Sequence, residues 1–296
     1  MEKYTAATSL GIAFGVITRY LVLRSDYRQY PGYPHGYITH LSLGLIAAVL
    51  GALAIPALAE KEFTAVTFLS LAATQFRDVR EMERKTLAGL DLTNLVSRGP
   101  DYIEDISRIF EARNYLVMLI ALLVGGVAYY THYAIALVSG GLALIGARYL
   151  MHGRVVGQVA QVRPGKVHFE GPNLFVEDIH MMNLAREEVR QQVKKRGLGV
   201  ILEPFDDDAR AILGNSGQRM AIAHDASVQL GIYKDVDTAE FTPLLRRDLD
   251  TGRVAMIILP LEMDLECLLL AITRVPVLES AINRPLKSRA GYRAAD

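Results

Sequence analysis

The sequence contains little cysteine, no tryptophan and no excess of charge of either sign. Its 296 residues include one cysteine, and 32 basic side chains are balanced by 32 acidic ones. A single cysteine excludes an internal disulfide framework and is typical of a reducing compartment. Nucleic-acid binding requires a basic surface that neutralises phosphates, so the zero net charge gives it no support. We therefore expect no nucleic-acid partner.

Charge is also absent from long stretches of the chain. Nine charged residues fall in 1–76, fifteen in 77–113 and none in 114–147. A bilayer core of about 30 Å requires about 20 mostly apolar residues in a helix. The pattern predicts an α-helical membrane bundle of about five transmembrane helices. Three of them lie in 1–76, the third (63–76) being short for a span, and a helical hairpin occupies 114–150.

The distribution of lysine and arginine predicts the orientation of the chain. Segment 77–113 is rich in both, and such residues concentrate on the cytoplasmic side of membrane proteins. We expect a multi-pass protein of the cell membrane, with the lipid bilayer as a partner, whose helical segment 77–113 and C-terminal half are cytoplasmic. Arg19 lies near the cytoplasmic boundary of the first predicted span, where we expect its side chain to reach the lipid headgroups. Gly11 and Gly15 form a GxxxG pattern that predicts close helix packing within the bundle.

The remainder of the chain, 151–283, is predicted to form a cytoplasmic α/β or α+β domain, because strand-like and helix-like segments alternate. Turn residues separate strands from 155 to 177, a helix is predicted over 182–196, and Val254–Leu259 and Val275–Leu278 are predicted strands. Residues 284–296 are predicted to form a basic, flexible tail. Helices ending at Gly214 and Gly231 lie between these strands.

Common catalytic and nucleotide-binding motifs are missing. The sequence has no HExxH, no GxxxxGK[ST] and no GxGxxG, and its histidines never pair at i,i+4, so we predict no metal site and no cofactor. Two groups could still carry chemistry. Asp206, Asp207 and Asp208 are candidate carboxylate catalysts or an acidic first helical turn. His224 and Asp225 are candidate catalytic residues, but neighbours on a helix diverge by about 100°, and a core histidine is the alternative.

A third group could bind an anion. Ser216, Gly217 and Arg219 stand at a predicted helix start, where free N–H groups and a guanidinium attract negative charge. Helix capping explains the same residues.

The hexapeptide beginning at residue 102 resembles the motif that names the YIEGIA family. It reads Tyr102-Ile103-Glu104-Asp105-Ile106-Ser107 and is identical at four of six positions, with Asp105 and Ser107 in place of glycine and alanine. The chain length, the N-terminal spans and the soluble tail resemble that family too. The resemblance implies a membrane protein of endospore-forming bacteria that is associated with sporulation, and it implies no reaction.

Two hypotheses of function remain open at this point. The first is an integral membrane protein whose cytoplasmic domain regulates or binds another protein during sporulation. The alternative is a membrane-tethered hydrolase or protease that uses the carboxylates named above together with His224 or Glu104. The lack of intramembrane acids argues against a cation transporter. The sequence leaves the substrate or partner and the oligomeric state open.

Overall fold

The computed structural model describes residues 2–26, 34–76, 78–151, 153–235 and 241–282. The predicted basic tail at 284–296 lies outside them. The chain divides into two compact units. The first unit contains Met1–Lys85 and Ile106–His152, and the second contains Thr86–Asp105 and Gly153–Asp296. The predicted helical segment 77–113 is therefore divided between the two units.

The first unit is helical. Its elements are α1 (Glu2–Asp26), α2 (Pro34–Ala59), α3 (Phe63–Phe76), the beginning of α4 (Val79–Asp91), most of α5 (Pro100–Tyr130) and α6 (Tyr133–Leu150). Within the described residues, α1, α2, α5 and α6 are long and apolar enough to cross a membrane. Helix α3 has 14 residues, or about 21 Å at 1.5 Å per residue, which is less than a bilayer core. A fifth span therefore stays a prediction.

Small residues hold the helices of the first unit close together. A Cβ atom on Gly11 would lie 2.7 Å from the carbonyl oxygen of Ala121, and one on Gly15 would lie 2.6 Å from the Cβ of Ala48. The predicted role of the GxxxG pattern within the bundle is confirmed. Small side chains allow such contact where no hydrophobic force drives apolar helices together in lipid.

The second unit contains two antiparallel sheets. The first has the order β1-β5-β7-β6, formed by β1 (Ala160–Gly165), β5 (Leu198–Pro204), β6 (Leu244–Arg247) and β7 (Val254–Ile258). The second is a meander of β2 (Val167–Glu170), β3 (Asn173–Val176) and β4 (Ile179–Asn183). Antiparallel pairing selects the α+β alternative of the two predicted classes.

Four helices complete the second unit, along with the last residues of α4 and the first turn of α5. They are α7 (Glu187–Arg196), α8 (Asp207–Gly214), α9 (Ser216–Leu230) and α10 (Leu265–Thr273). Helix α9 packs against α8, α10 and β6, and its central residues are buried. The meander and α7 share a hydrophobic core with β5 and β7. Strand β7 is buried at every position, which explains its unbroken run of apolar residues.

Two predicted elements differ in the structure, and one strand was not predicted. The predicted helix over 182–196 begins only at Glu187, because Met182 pairs with Leu174 as part of β4. The predicted strand over Val275–Leu278 forms only an isolated bridge between Val155 and Pro276. Strand β6 carries two arginines in four residues and gave no apolar alternation to predict it from.

Candidate functional site

The loop before α5 is folded around one carboxylate. Asp91 Oδ1 accepts hydrogen bonds from the backbone N–H of Arg98 (2.7 Å) and from the Asn94 amide (3.2 Å), and its other oxygen accepts from the Ser97 hydroxyl. Burial by itself raises the pKa of Asp91, but these hydrogen bonds outweigh it and hold that pKa below its ordinary value of 3.8. The loop therefore presents Arg98 in a fixed position.

Arg98 is bonded to a histidine of α9. Its Nε–H donates to His224 Nε2 over 3.1 Å, and the His224 ring lies 2.7 Å from the carbonyl oxygen of Val96 through Nδ1. Because a guanidinium only donates, Nε2 accepts, and the proton of the neutral ring is on Nδ1 and donates to Val96. Burial lowers the pKa of His224 below 6.5. The histidine is thus held as a neutral acceptor.

Tyr102, the first residue of the family motif, is bonded to the neighbouring residue of α9. Its hydroxyl donates to the two carboxylate oxygens of Asp225 at 3.2 and 3.1 Å. The Tyr102 side chain is only 1% exposed, and Ile103 beside it is also buried. We call the two side-chain pairs, Arg98–His224 and Tyr102–Asp225, the motif contact.

Two acidic residues near the start of α5, Asp101 and Asp105, also make contacts within the second unit. Asp105 Oδ1 accepts a hydrogen bond of 3.0 Å from the backbone N–H of Glu279. The carboxylate of Asp101 lies against Gly217 and leaves no room there for a side chain. Asp105, which replaces the glycine of the family motif, therefore makes a contact that glycine could not make. Glu104 is half-buried, and Ile106 is fully buried and belongs to the first unit.

The three consecutive acids lie at the start of α8. Asp206 is its N-cap, and its side chain accepts a 2.7 Å hydrogen bond from the backbone N–H of Ala209. Asp207 is exposed and pairs with Arg210 at 3.3 Å, while Asp208 is half-buried. This is the geometry of a capped, acidic first turn, which stabilises the positive end of a helix.

The residues predicted to bind an anion lie at the start of α9. Asn215 is the N-cap, and its side chain accepts from the backbone N–H of Gln218 at 2.9 Å. Ser216 is exposed, Gly217 is buried beside Asp101, and Arg219 is half-buried. The three residues therefore lie within the first four residues of α9.

The structure brings His224 and Asp225 to the family motif, and it places Asp206, Asp207 and Asp208 on another helix. Both ring nitrogens of His224 and both carboxylate oxygens of Asp225 are engaged in hydrogen bonds. A general base must be within reach of a substrate proton, and in this arrangement these atoms contact residues 96–102 instead. Across the described ranges no three His, Cys, Asp or Glu side chains form a group that could hold a metal ion.

The expectation that Arg19 reaches the lipid headgroups is wrong. Its side chain is fully buried in the first unit. Nε–H donates to the carbonyl oxygen of His40 and Nη2 donates to His40 Nδ1, both over 3.1 Å, and the guanidinium lies 5.2 Å from the centre of the Phe110 ring. Gly44 makes room for the arginine stem, since a Cβ there would lie 2.9 Å from the Cβ of Arg19. The acceptor atoms of His40 and the space beside Gly44 explain how the Arg19 side chain is accommodated in the interior.

Sequence reasoning did not identify the roles of Asp91 and Arg98 or the pairing of Arg19 with His40. Asp91 and Arg98 both precede a break at Gly99-Pro100, which indicates a structured turn but not the histidine that Arg98 contacts. An arginine inside an apolar run is itself a signal of function or of buried pairing, and this signal could have indicated that Arg19 is buried.

Comparisons with known proteins agree with the motif. The family described as YIEGIA protein matches residues 7–288. A curated relative from Bacillus subtilis (strain 168), titled "Uncharacterized protein YphB", is 44% identical over 285 residues, which cover 96% of each chain. No solved structure matches the sequence. On the extent of both matches, this chain belongs to the YIEGIA family.

Proposed function

We propose that this chain is a multi-pass membrane protein whose second unit is a cytoplasmic regulatory or protein-binding domain that acts in sporulation. Four helices of sufficient length and apolarity, within the described residues, support the membrane location. The lysines and arginines of segment 77–113 favour a cytoplasmic second unit. The sporulation context is carried over from the family resemblance.

The observation that carries the regulatory role is the motif contact. Helix α5 is continuous from Pro100 to Tyr130, with its first turn in the second unit and the rest in the first. The hydrogen bonds of His224 and Asp225 hold that first turn. A protein that binds the second unit and alters these bonds would therefore act directly on α5. A signal of this kind requires no catalytic step.

The hydrolase alternative lacks such a supporting observation. Asp206 is used as a helix cap, Asp207 is exposed beside Arg210, and His224 with Asp225 binds the motif segment. A carboxylate pair of the aspartic-protease type requires two acids sharing one proton. Asp206 and Asp207 instead bind a backbone N–H group and an arginine.

The function is tested in a Bacillus subtilis strain in which this chain replaces the YphB relative. We expect Tyr102→Phe combined with Asp225→Ala to lower the frequency of heat-resistant spores while vegetative growth is unchanged. Asp206→Asn, Asp207→Asn and Asp208→Asn are the matched acidic controls and should sporulate normally. Loss of sporulation only with these three controls would overturn the regulatory role and favour the hydrolase.

The orientation is tested by thiol labelling in intact cells. Cys267 is the single cysteine, so its replacement by alanine gives a cysteine-free background. We expect Gln229→Cys, at an exposed position of α9, to react with a membrane-impermeant maleimide only after permeabilisation. His132→Cys, at the tip of the α5–α6 hairpin, should react in intact cells. The reverse pattern would contradict a cytoplasmic second unit.

A further inference from the structure

A cavity of about 460 Å³ lies beside the meander of the second unit. One of its walls is formed by Val167, His168 and Phe169 of β2, and the opposite wall by the end of α7, the start of β5 and Leu265. Side chains of consecutive strand residues point to opposite faces of a sheet. A cavity that contacts three consecutive residues of β2 therefore runs along the backbone edge of that strand.

The backbone of β2 presents hydrogen-bonding groups at this edge. Strand β2 is the outer strand in the order β2-β3-β4. The N–H of Glu177 donates to the carbonyl oxygen of Lys166 over 2.9 Å, and in antiparallel pairing the residues that bond to the partner strand alternate with residues that do not. In this register His168 bonds to β3. The N–H and C=O groups of Val167 and Phe169 therefore point away from β3.

The other edge of the meander is closed by a side chain. Arg246 of β6 donates from Nη1 to the carbonyl oxygen of Met181 in β4 over 2.9 Å. Among the residues that the structure describes, no side chain makes such a bond to the backbone of Val167 or Phe169. A row of donors and acceptors at a strand edge is a template for pairing with another strand. The edge of β2, with a cavity along it, is therefore suited to an extended peptide.

The cavity walls indicate which peptide would fit. Most of the side chains that line the cavity are apolar, and its described lining contains no acidic residue. Lys194 supplies a positive charge, and its ammonium group lies 5.6 Å from the centre of the Phe169 ring. Complementary charge across an interface favours the correct partner and disfavours others. The walls therefore favour a peptide that has an apolar side chain and a carboxylate.

Added strands gain affinity from backbone hydrogen bonds and specificity from pockets for alternate side chains. From the open edge of β2, the cavity along it and the position of Lys194, we infer that this groove binds an extended peptide segment of another protein. The segment pairs with β2 as an added strand, places an apolar side chain in the cavity and places a carboxylate at Lys194. We call this surface the β2 groove. The inference rests on the proposed function, because it identifies where the second unit binds a protein.

The first experiment measures peptide binding by the full-length protein in a neutral detergent. The probes are arrayed eight-residue peptides with valine or isoleucine at alternate positions and the other positions varied. Each is made with glutamate or glutamine at one position, and with a free or an amidated C-terminus. We expect saturable binding that weakens about fivefold when the carboxylate is replaced by an amide, as for one partly exposed ion pair. The four forms distinguish a C-terminal carboxylate from a glutamate side chain.

Protein variants assign the carboxylate to Lys194. In Lys194→Gln, we expect peptides with the carboxylate and with the amide to bind equally. Lys195→Gln is the matched control, because Lys195 is the neighbouring exposed lysine of α7 and does not line the cavity. This variant should keep the preference for the carboxylate. A preference that persists in Lys194→Gln would overturn the assignment of the groove.

Methylation of the peptide backbone tests the added strand. In the strongest-binding peptide, each backbone N–H in turn is replaced by N-methyl. Because only alternate residues of a strand bond to a given neighbour, we expect binding to be lost on methylation of every second residue and kept for the residues between. Binding that is insensitive to methylation at every position would contradict strand addition. So would an array on which no peptide binds saturably.

The outcome is separable from that of the sporulation test. Absence of peptide binding, together with the spore defect of the Tyr102→Phe/Asp225→Ala variant, would overturn the β2 groove and leave the regulatory role standing. Peptide binding without that spore defect would support the groove and contradict the role of the motif contact.

Discussion

Each unit of this protein buries an arginine against a histidine, and the two pairs are built differently. In the first unit, Arg19 donates to both the ring and the backbone carbonyl of His40. In the second, Arg98 donates to the ring of His224, whose other nitrogen is bound to the carbonyl of Val96. Both histidines accept from a guanidinium, so the accepting nitrogen is unprotonated in each. A neutral histidine therefore gives an arginine a hydrogen-bond acceptor inside the protein.

The difference lies in how space is made for the pair. In the first unit, glycine and alanine bring helices close and leave a gap at Gly44 for the arginine stem. In the second unit, a loop folded around Asp91 positions Arg98 over α9. The helical unit thus depends on small side chains, and the sheet-containing unit depends on a hydrogen-bonded loop. Substitutions that enlarge a small side chain should destabilise the first unit most. Protonation of a buried histidine should destabilise the second.

The largest expected effect comes from Gly51→Val in the first unit. A Cβ at Gly51 would collide with the backbone carbonyl of Met118, which cannot move aside as a side chain can. We expect a loss of about 3 kcal/mol or more in the free energy of unfolding. Gly141→Val is the matched control, because a Cβ there meets no atom within 4 Å. Size-exclusion profiles in detergent should show aggregation for Gly51→Val only. Equal behaviour of the two variants would contradict the claim that the first unit depends on small side chains.

A moderate effect is expected when pH is lowered in the second unit. Burial holds the pKa of His224 below 6.5, so above pH 6.5 both folded and unfolded chains carry a neutral ring. Below pH 6.5 the unfolded chain binds a proton that the folded chain does not. Stability is therefore lost as pH falls from 6.5 through the lower folded pKa, by up to about 1.4 kcal/mol per pH unit.

The measurement compares hydrogen exchange of residues 96–105 at pH 7.5, 6.5 and 5.5 after correction for intrinsic rates. His224→Gln lacks the titrating ring, so the fall in protection below pH 6.5 should be smaller in this variant. An identical pH dependence in the two proteins would show that another group is responsible.

The smallest expected effects separate two adjacent acids of α8. Asp206→Ala removes the N-cap hydrogen bond to Ala209 and should cost about 1 kcal/mol in unfolding free energy. Asp207→Ala removes only an exposed ion pair with Arg210, which contributes little. Denaturant unfolding of both variants should rank Asp206→Ala as the less stable. The reverse order would contradict the assignment of Asp206 as the cap.

The helices of the first unit could be predicted from the sequence, because a long uncharged run is sufficient to indicate them. The hairpin of β2 and β3 was also predictable from its turn at Gly171-Pro172. The predicted turn at Pro164-Gly165 was wrong, because both residues pair with β5 as part of β1. Strand β6 was not, since Leu244–Arg247 lies in the sheet through pairing with β7 and not through its own pattern. The boundary between β4 and α7 was missed for the same reason, because pairing with β3 takes Met182 into a strand.

The candidate site was predictable only in its parts. The motif at Tyr102 and the dipeptide His224-Asp225 both drew attention in the sequence, but they are separated by more than a hundred residues. Hydrogen bonds between distant segments leave no local pattern, so neither the Tyr102–Asp225 pair nor the Arg98–His224 pair could be inferred.

The central claim is that the family motif is held in the second unit by Tyr102 and Asp225. A double-mutant cycle tests it most directly, using Tyr102→Phe, Asp225→Ala and the combined variant in full-length protein, with unfolding free energies measured in the same detergent. We predict a coupling energy of at least about 1 kcal/mol, as for a hydrogen bond to a charged group, and none between Tyr233→Phe and Asp225→Ala. A coupling of zero between Tyr102 and Asp225 would contradict the account.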